Sequence, residues 1–101
     1  MNHLHKYYLL EAEKNRVLGN EMQAAWAYGQ AISNAREHGY VNEEALANEL
    51  AAKFYLSTGR SQIAGEYIID ALHRYREWGA KAKIEELFAN YPGFASNYLP
   101  R

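Results

Sequence analysis

The sequence predicts an all-α fold, and three observations support this. Glycine recurs every twenty residues, at Gly19, Gly39, Gly59 and Gly79. Between these glycines, apolar residues lie three and four positions apart, which is the spacing of one helix face. No stretch alternates apolar and polar residues for longer than about four positions, so strands are not indicated. Since only glycine adopts the left-handed conformation at a helix end without steric cost, each glycine is expected to close one helix.

Composition narrows the class of protein. The 101 residues correspond to one small domain with 49% hydrophobic and 23% charged residues. A net charge of −1, from 11 basic and 12 acidic residues, indicates neither a nucleic-acid surface nor a polybasic membrane patch. Cysteine is absent, which excludes disulfides and thiol catalysis and favours a cytoplasmic protein. The sequence shows neither the apolar core of a signal peptide nor an apolar run of the roughly 20 residues that span a membrane.

The first three helices are expected at about residues 3–18, 20–38 and 42–58. The first has only a loose apolar face. Asn20 and Asn42 are suitable N-caps for the second and third, because their side chains can accept a hydrogen bond from a free backbone N–H. Trp26 lies to one side of the apolar stripe of the second helix.

The fourth helix is expected at about residues 61–78, with Ser61 as its N-cap, and the fifth at about 80–91. The fourth has the most regular apolar stripe of the chain, formed by Ile63, Ala64, Tyr67, Ile68, Ala71, Leu72, Tyr75 and Trp78. Pro92 ends the fifth helix, because proline disfavours helical conformation in the residue before it. Residues 93–101 show no periodicity and are expected to form an irregular tail.

A shift of forty residues superimposes the chain on itself. The pattern Gly-x4-Ala-x3-large-x2-Ala occurs at residues 19–31 and again at 59–71. It resembles the second helix of a tetratricopeptide repeat. The resemblance implies a right-handed superhelix within residues 1–92, made of two antiparallel hairpins, at about 3–38 and 42–78, and a capping helix at about 80–91.

A more specific resemblance is carried by residues 5–13, 17–19, 45–55 and 75–83. These stretches are similar to the tetratricopeptide-like segment of very large bacterial sensor kinases, where it lies between an ATPase-like region and GAF and histidine-kinase modules. In those proteins the segment is non-catalytic. The resemblance therefore implies a protein-interaction or scaffolding module of a signalling protein, which connects other modules or binds a partner.

The resemblance also implies a binding face. In tetratricopeptide arrays the first helix of each hairpin lines the concave surface, which here means the first, third and fifth helices. Outward positions on these helices give the candidate partner-binding residues Glu13, Arg16, Glu49, Lys53 and Glu86. Because both signs of charge are present, the expected partner is a peptide or helix that also carries both.

The alternatives to this hypothesis differ in weight. Four histidines lack metal-ligating spacing, and neither a nucleophile motif nor a glycine-rich phosphate loop is present, so we expect no enzyme, metal or cofactor. A structural spacer or a self-association element is the main alternative, with a homodimer formed through uncovered end faces that Trp26 marks. A small molecule bound between helices remains open.

Overall fold

The computed structural model describes residues 4–98, which form six α-helices and no strand. The prediction of an all-α fold is therefore confirmed. The first five helices begin and end within two residues of the expected positions, although residue 3, the expected start of the first, lies outside the described range. The helices are α1 (Leu4–Leu18), α2 (Glu21–Glu37), α3 (Val41–Ser57), α4 (Ser61–Trp78), α5 (Lys81–Asn90) and α6 (Pro92–Ala95).

The four periodic glycines adopt the left-handed conformation predicted for them, with φ between 74° at Gly39 and 85° at Gly79. In each turn, the residue after the glycine donates its backbone N–H to the carbonyl five residues earlier, at 2.8 or 2.9 Å. This bond satisfies a carbonyl that the helix end leaves open. The same turn thus reverses the chain four times.

None of the three predicted N-caps bonds its helix through its side chain, and only Asn20 stands at the N-cap position. Asn42 and Ser61 lie inside the first turns of α3 and α4, and the residues that precede these helices are Tyr40 and Arg60. Asn20 does precede α2, but its side chain donates to the Asn15 side chain at 3.1 Å and does not cap the helix. The glycine turn leaves a single residue before the next helix, so the turn sets where each helix starts.

The helices pack as two hairpins, α1 with α2 and α3 with α4, and α2 packs on α3 between them. The hairpins are antiparallel because only two or three residues connect their helices. Contact between α1 and α3 places these two helices side by side, and the molecule measures 35 × 32 × 18 Å, about two helices thick in its shortest direction. The tetratricopeptide-like superhelix stays a prediction.

The expected irregular tail contains a short helix instead. Helix α6 begins at Pro92, whose fixed φ suits the first helical position, and its Ala95 is buried. Its Phe94 ring lies against α4 at Gly65, where an added Cβ would come within 2.9 Å of the ring. Contact with α4 and α5, which periodicity does not register, thus orders residues 92–95. Residues 99–101 of the expected tail lie outside the described range.

Gly65 and Gly29 offer a matched test of this packing. Both lie inside helices, but an added Cβ at Gly29 meets nothing within 4 Å. We expect Gly29→Ala to raise the free energy of unfolding by about 0.5–1 kcal/mol, the difference in helix propensity. Gly65→Ala should lose this gain and destabilise the protein, because Phe94 must move. Urea denaturation measures both, and equal stabilisation by the two substitutions would show that Phe94 does not pack on α4.

Candidate protein-interaction face

Side chains from α1, α3 and α5 meet on one side of the molecule. They are Glu13 and Arg16 of α1, Glu49 and Lys53 of α3, and Lys83 and Glu86 of α5, and we call these six residues the charged face. Five of them are the candidates from the sequence; Lys83 is the addition. Lys53 lines a cavity with Glu13 and Arg16 and pairs with Glu49, and Lys83 pairs with both Glu49 and Glu86, so the structure connects all five candidates. Whether they bind a partner stays a prediction.

A cavity of about 320 Å³ lies between α1 and α3 on this face. It is lined by Glu13, Arg16, Leu50, Lys53 and Ser57. Leu50 supplies apolar surface, while the remaining side chains supply charge and a hydroxyl. The cavity can therefore accept a side chain that has an apolar body and a polar end.

Glu13 is fixed in place from two directions. Its Oε2 accepts a short hydrogen bond from the hydroxyl of the buried Tyr28 and a second, at 3.2 Å, from Nε of Arg16. Burial, together with the neighbouring Glu13 carboxylate, raises the pKa of Tyr28, so its hydroxyl stays protonated and remains a donor. The hydrogen bond with Glu13 likewise raises the pKa of Arg16.

Glu49 is buried and does not point outward as the sequence suggested. It is only 3% exposed, because α3 is enclosed by its neighbours at this position. Its Oε1 accepts a hydrogen bond of 2.7 Å from the Tyr75 hydroxyl of α4 and lies 3.2 Å from Nζ of Lys83, while Nζ of Lys53 lies 3.5 Å from its Oε2. Burial opposes ionisation, but these donors outweigh it and lower the pKa of Glu49.

Lys83 links the buried carboxylate to the exposed edge of the face. Its Nζ lies 3.4 Å from Oε1 of the exposed Glu86 and 5.5 Å from the centre of the Tyr75 ring. Burial lowers the pKa of Lys83, but the carboxylates of Glu49 and Glu86 raise it by more than burial lowers it, so the net shift is upward. The sequence offered one indication of this role, since Lys83 precedes Glu86 by three residues, which is an ion-pair spacing on a helix.

The charged face is electrically balanced, with three carboxylates and three cations. Each carboxylate lies within 4 Å of a cation of the same face. An arrangement of this kind attracts neither polyanions nor polycations over long distances, because the opposite charges cancel within a Debye length of about 8–10 Å. The arrangement suits a partner with both signs of charge.

Three further observations concern small-molecule binding, metal binding and membrane insertion. A cavity of about 650 Å³ lies among α2, α3 and α4 and includes Arg36, Asn48, Tyr55, Glu66 and Asp70 in its lining. Within residues 4–98, no three histidine or acidic side chains are grouped so that they could hold a metal ion. No helix in this part of the chain is long and apolar enough to cross a bilayer.

The chain is similar to part of a signalling protein. It is 35% identical over 60 residues to a hybrid signal transduction histidine kinase G from Dictyostelium discoideum. The matched stretch makes up 59% of this chain but only 2% of that protein. No family model and no solved structure matches the chain. The similarity agrees with the resemblance to histidine kinases seen in the sequence, although this relative, from Dictyostelium discoideum, is not bacterial.

Glu49→Gln tests whether the buried carboxylate stabilises the fold. Loss of the charged acceptor for Tyr75 and Lys83 should lower the free energy of unfolding by about 1–3 kcal/mol at neutral pH. Glu86→Gln is the control, because the exposed pair it removes contributes little, and a change within about 0.5 kcal/mol is expected. Chemical denaturation measures the free energy of unfolding of both variants, and equal decreases in the two would contradict the structural role of Glu49.

Wild type and Glu49→Gln should also differ in how their stability depends on pH. Since the pKa of Glu49 is lower in the folded state, its contribution is present above the pKa of an unfolded glutamate, about 4.3, and is lost as the pH falls through the folded value. The stability difference between wild type and Glu49→Gln should therefore shrink below about pH 4. A difference that stayed constant down to pH 2.5, within about 0.3 kcal/mol, would contradict the lowered pKa.

Proposed function

We propose that this chain is a non-catalytic protein-interaction segment of a signalling protein and that it binds a peptide or helix across the charged face. The similarity to part of a signal transduction histidine kinase supports the signalling context, and the forty-residue repeat of helical hairpins supports an interaction module. We further propose that the hairpins form a tetratricopeptide-like array in the cytoplasm, in keeping with the absence of cysteine.

The pre-arranged charge of this face is the observation that carries the proposal. Glu13 is held by Tyr28 and Arg16, and Lys83 is held by Glu49 and Glu86. Side chains that are already ordered lose less entropy when a partner binds. The face can therefore recognise charge at a low entropic cost, which is a property expected of a binding surface.

The chemistry of the face defines the partner. Arg16 uses Nε for Glu13, and its guanidinium has four further N–H groups that can donate to an acidic side chain. Lys53 adds a half-exposed ammonium on the other side of the cavity, and Glu86 offers a half-exposed carboxylate to a basic side chain. We propose that the partner segment carries an acidic residue, an apolar residue that enters the cavity over Leu50, and a basic residue.

Selection of binders from a library of random peptides of about sixteen residues tests this function, since that length spans a helix of about 24 Å. The selected peptides should combine acidic, apolar and basic residues. Affinity is then measured by fluorescence polarisation for wild type, Arg16→Gln and Lys53→Gln, with Lys81→Gln on the exposed surface of α5 as the control.

Arg16→Gln and Lys53→Gln should each bind the selected peptides at least about tenfold more weakly, because each loses a charged contact. The control Lys81→Gln should bind them as wild type does. Thermal melts check that the two charged-face variants remain folded. Peptides that bind all four proteins equally would place the binding surface elsewhere and would contradict this function for the charged face.

Self-association is the second candidate, and a separate observation favours it. Trp26 and Met22, in the first half of α2, are 59% and 85% exposed. They line a groove with Glu11 and Asn15 of α1, and the Trp26 ring lies 5.5 Å from the ring of Tyr8. Large apolar side chains grouped on a surface commonly mark an interface with another protein. This surface does not overlap the charged face, so one chain could use both.

A further inference from the structure

One side of α1, beside the first half of α2, carries a stripe of three apolar and two charged residues at regular helical spacing. Leu4, Tyr7, Glu11, Lys14 and Leu18 follow one another at spacings of three, four, three and four residues. This is the spacing by which two helices pack along a common seam. Its apolar members are 45–62% exposed, so the described chain leaves about half of the surface of each one uncovered.

Apolar exposure is concentrated at this end of the molecule. Eleven large apolar residues are exposed in the described chain, and seven of them belong to α1 or the start of α2: Leu4, Tyr7, Leu10, Val17, Leu18, Met22 and Trp26. At the opposite end, α5 and α6 cover α4 and contribute the buried residues Leu87 and Ala95. A surface that is complementary to itself forms a closed pair with a second copy, whereas a filament needs two different complementary surfaces.

The two charged residues in the centre of the stripe define how a second copy would fit. Neither the carboxylate of Glu11 nor the ammonium of Lys14 forms an ion pair within the described residues, although the ion-pair range extends to 4.0 Å. In a parallel pair of α1 helices, Glu11 would face the second copy's Glu11 and Lys14 the second copy's Lys14. In an antiparallel pair centred between residues 12 and 13, each Glu11 faces the second copy's Lys14.

The same antiparallel arrangement matches the apolar residues. Positions that sum to 25 face each other, so Tyr7 meets the second copy's Leu18 on both sides of the two-fold axis. Since a two-fold interface repeats each contact, the arrangement gives two ion pairs and two apolar pairs. Trp26 and Met22 border a groove of about 430 Å³ beside the stripe, and they extend the apolar surface.

We propose that two copies of this chain associate through α1, in an antiparallel pair whose orientation the two Glu11–Lys14 contacts set. The parallel pair is excluded because it would place like charges opposite each other at positions 11 and 14. The apolar residues at the two ends of the stripe supply the attraction. This inference rests on the self-association candidate and not on the charged face. Its residues lie outside that face, so either proposal can fail while the other stands.

Sedimentation of wild type from low micromolar to millimolar concentration should show a monomer–dimer equilibrium. Glu11→Lys and Lys14→Glu should each raise the dissociation constant by about tenfold or more, because each substitution turns two attractive contacts into repulsive ones. The double substitution should return it to within about threefold of wild type, since the contacts are restored in exchanged positions. The control Lys81→Glu/Glu85→Lys on α5 should leave the equilibrium unchanged.

A mixing experiment separates this pairing from a general effect of charge. When the Glu11→Lys and Lys14→Glu proteins are combined, each position 11 faces an opposite charge on the other protein, so the mixture should dimerise more strongly than either protein alone. Leu18→Glu should abolish the dimer while the helix content by circular dichroism is retained. A wild type that stays monomeric at every concentration, or single variants that dimerise as wild type does, would overturn the proposal and leave the surface to a helix of another protein.

Discussion

The enclosure of α3 is the constraint on which the rest of the structure depends. Helices α1, α2 and α4 all pack against α3, and nine of its seventeen residues are buried. Such close approach from several sides requires small side chains, which Ala45, Ala47, Ala51 and Ala52 provide. The same enclosure also buries polar residues of α3, and buried polar groups must find hydrogen-bond partners.

The partners of those polar residues connect the fold to the candidate binding face. Glu44 is paired with Arg36 of α2 at 3.0 Å, and Asn48 donates to the Glu44 carbonyl at 3.0 Å. Glu49 binds Tyr75 of α4 and Lys83 of α5, and so holds α5 and its exposed Glu86 beside α3. A buried carboxylate in the core thereby places charges on the surface, so stability and recognition share residues.

The two surfaces of interest differ in chemistry, and this difference suggests different uses. The charged face is balanced, partly buried and internally paired, which suits recognition of a segment with matching charges. The outer side of α1 is apolar with two charges at its centre, which suits a second helix of the same kind. In a signalling protein, a module that associates through one surface and binds a partner through another would couple assembly to recognition.

Local chemistry determined much of this protein. The helix number up to α5, the helix ends and the four left-handed glycines all follow from periodicity and backbone preference, which act within a few residues. Tertiary structure alone decided that α6 forms, that Glu49 is buried and that Lys83 joins the charged face. Each of these depends on contacts between residues far apart in the chain, such as Phe94 with Gly65 or Tyr75 with Glu49, and such contacts exist only once the helices have packed.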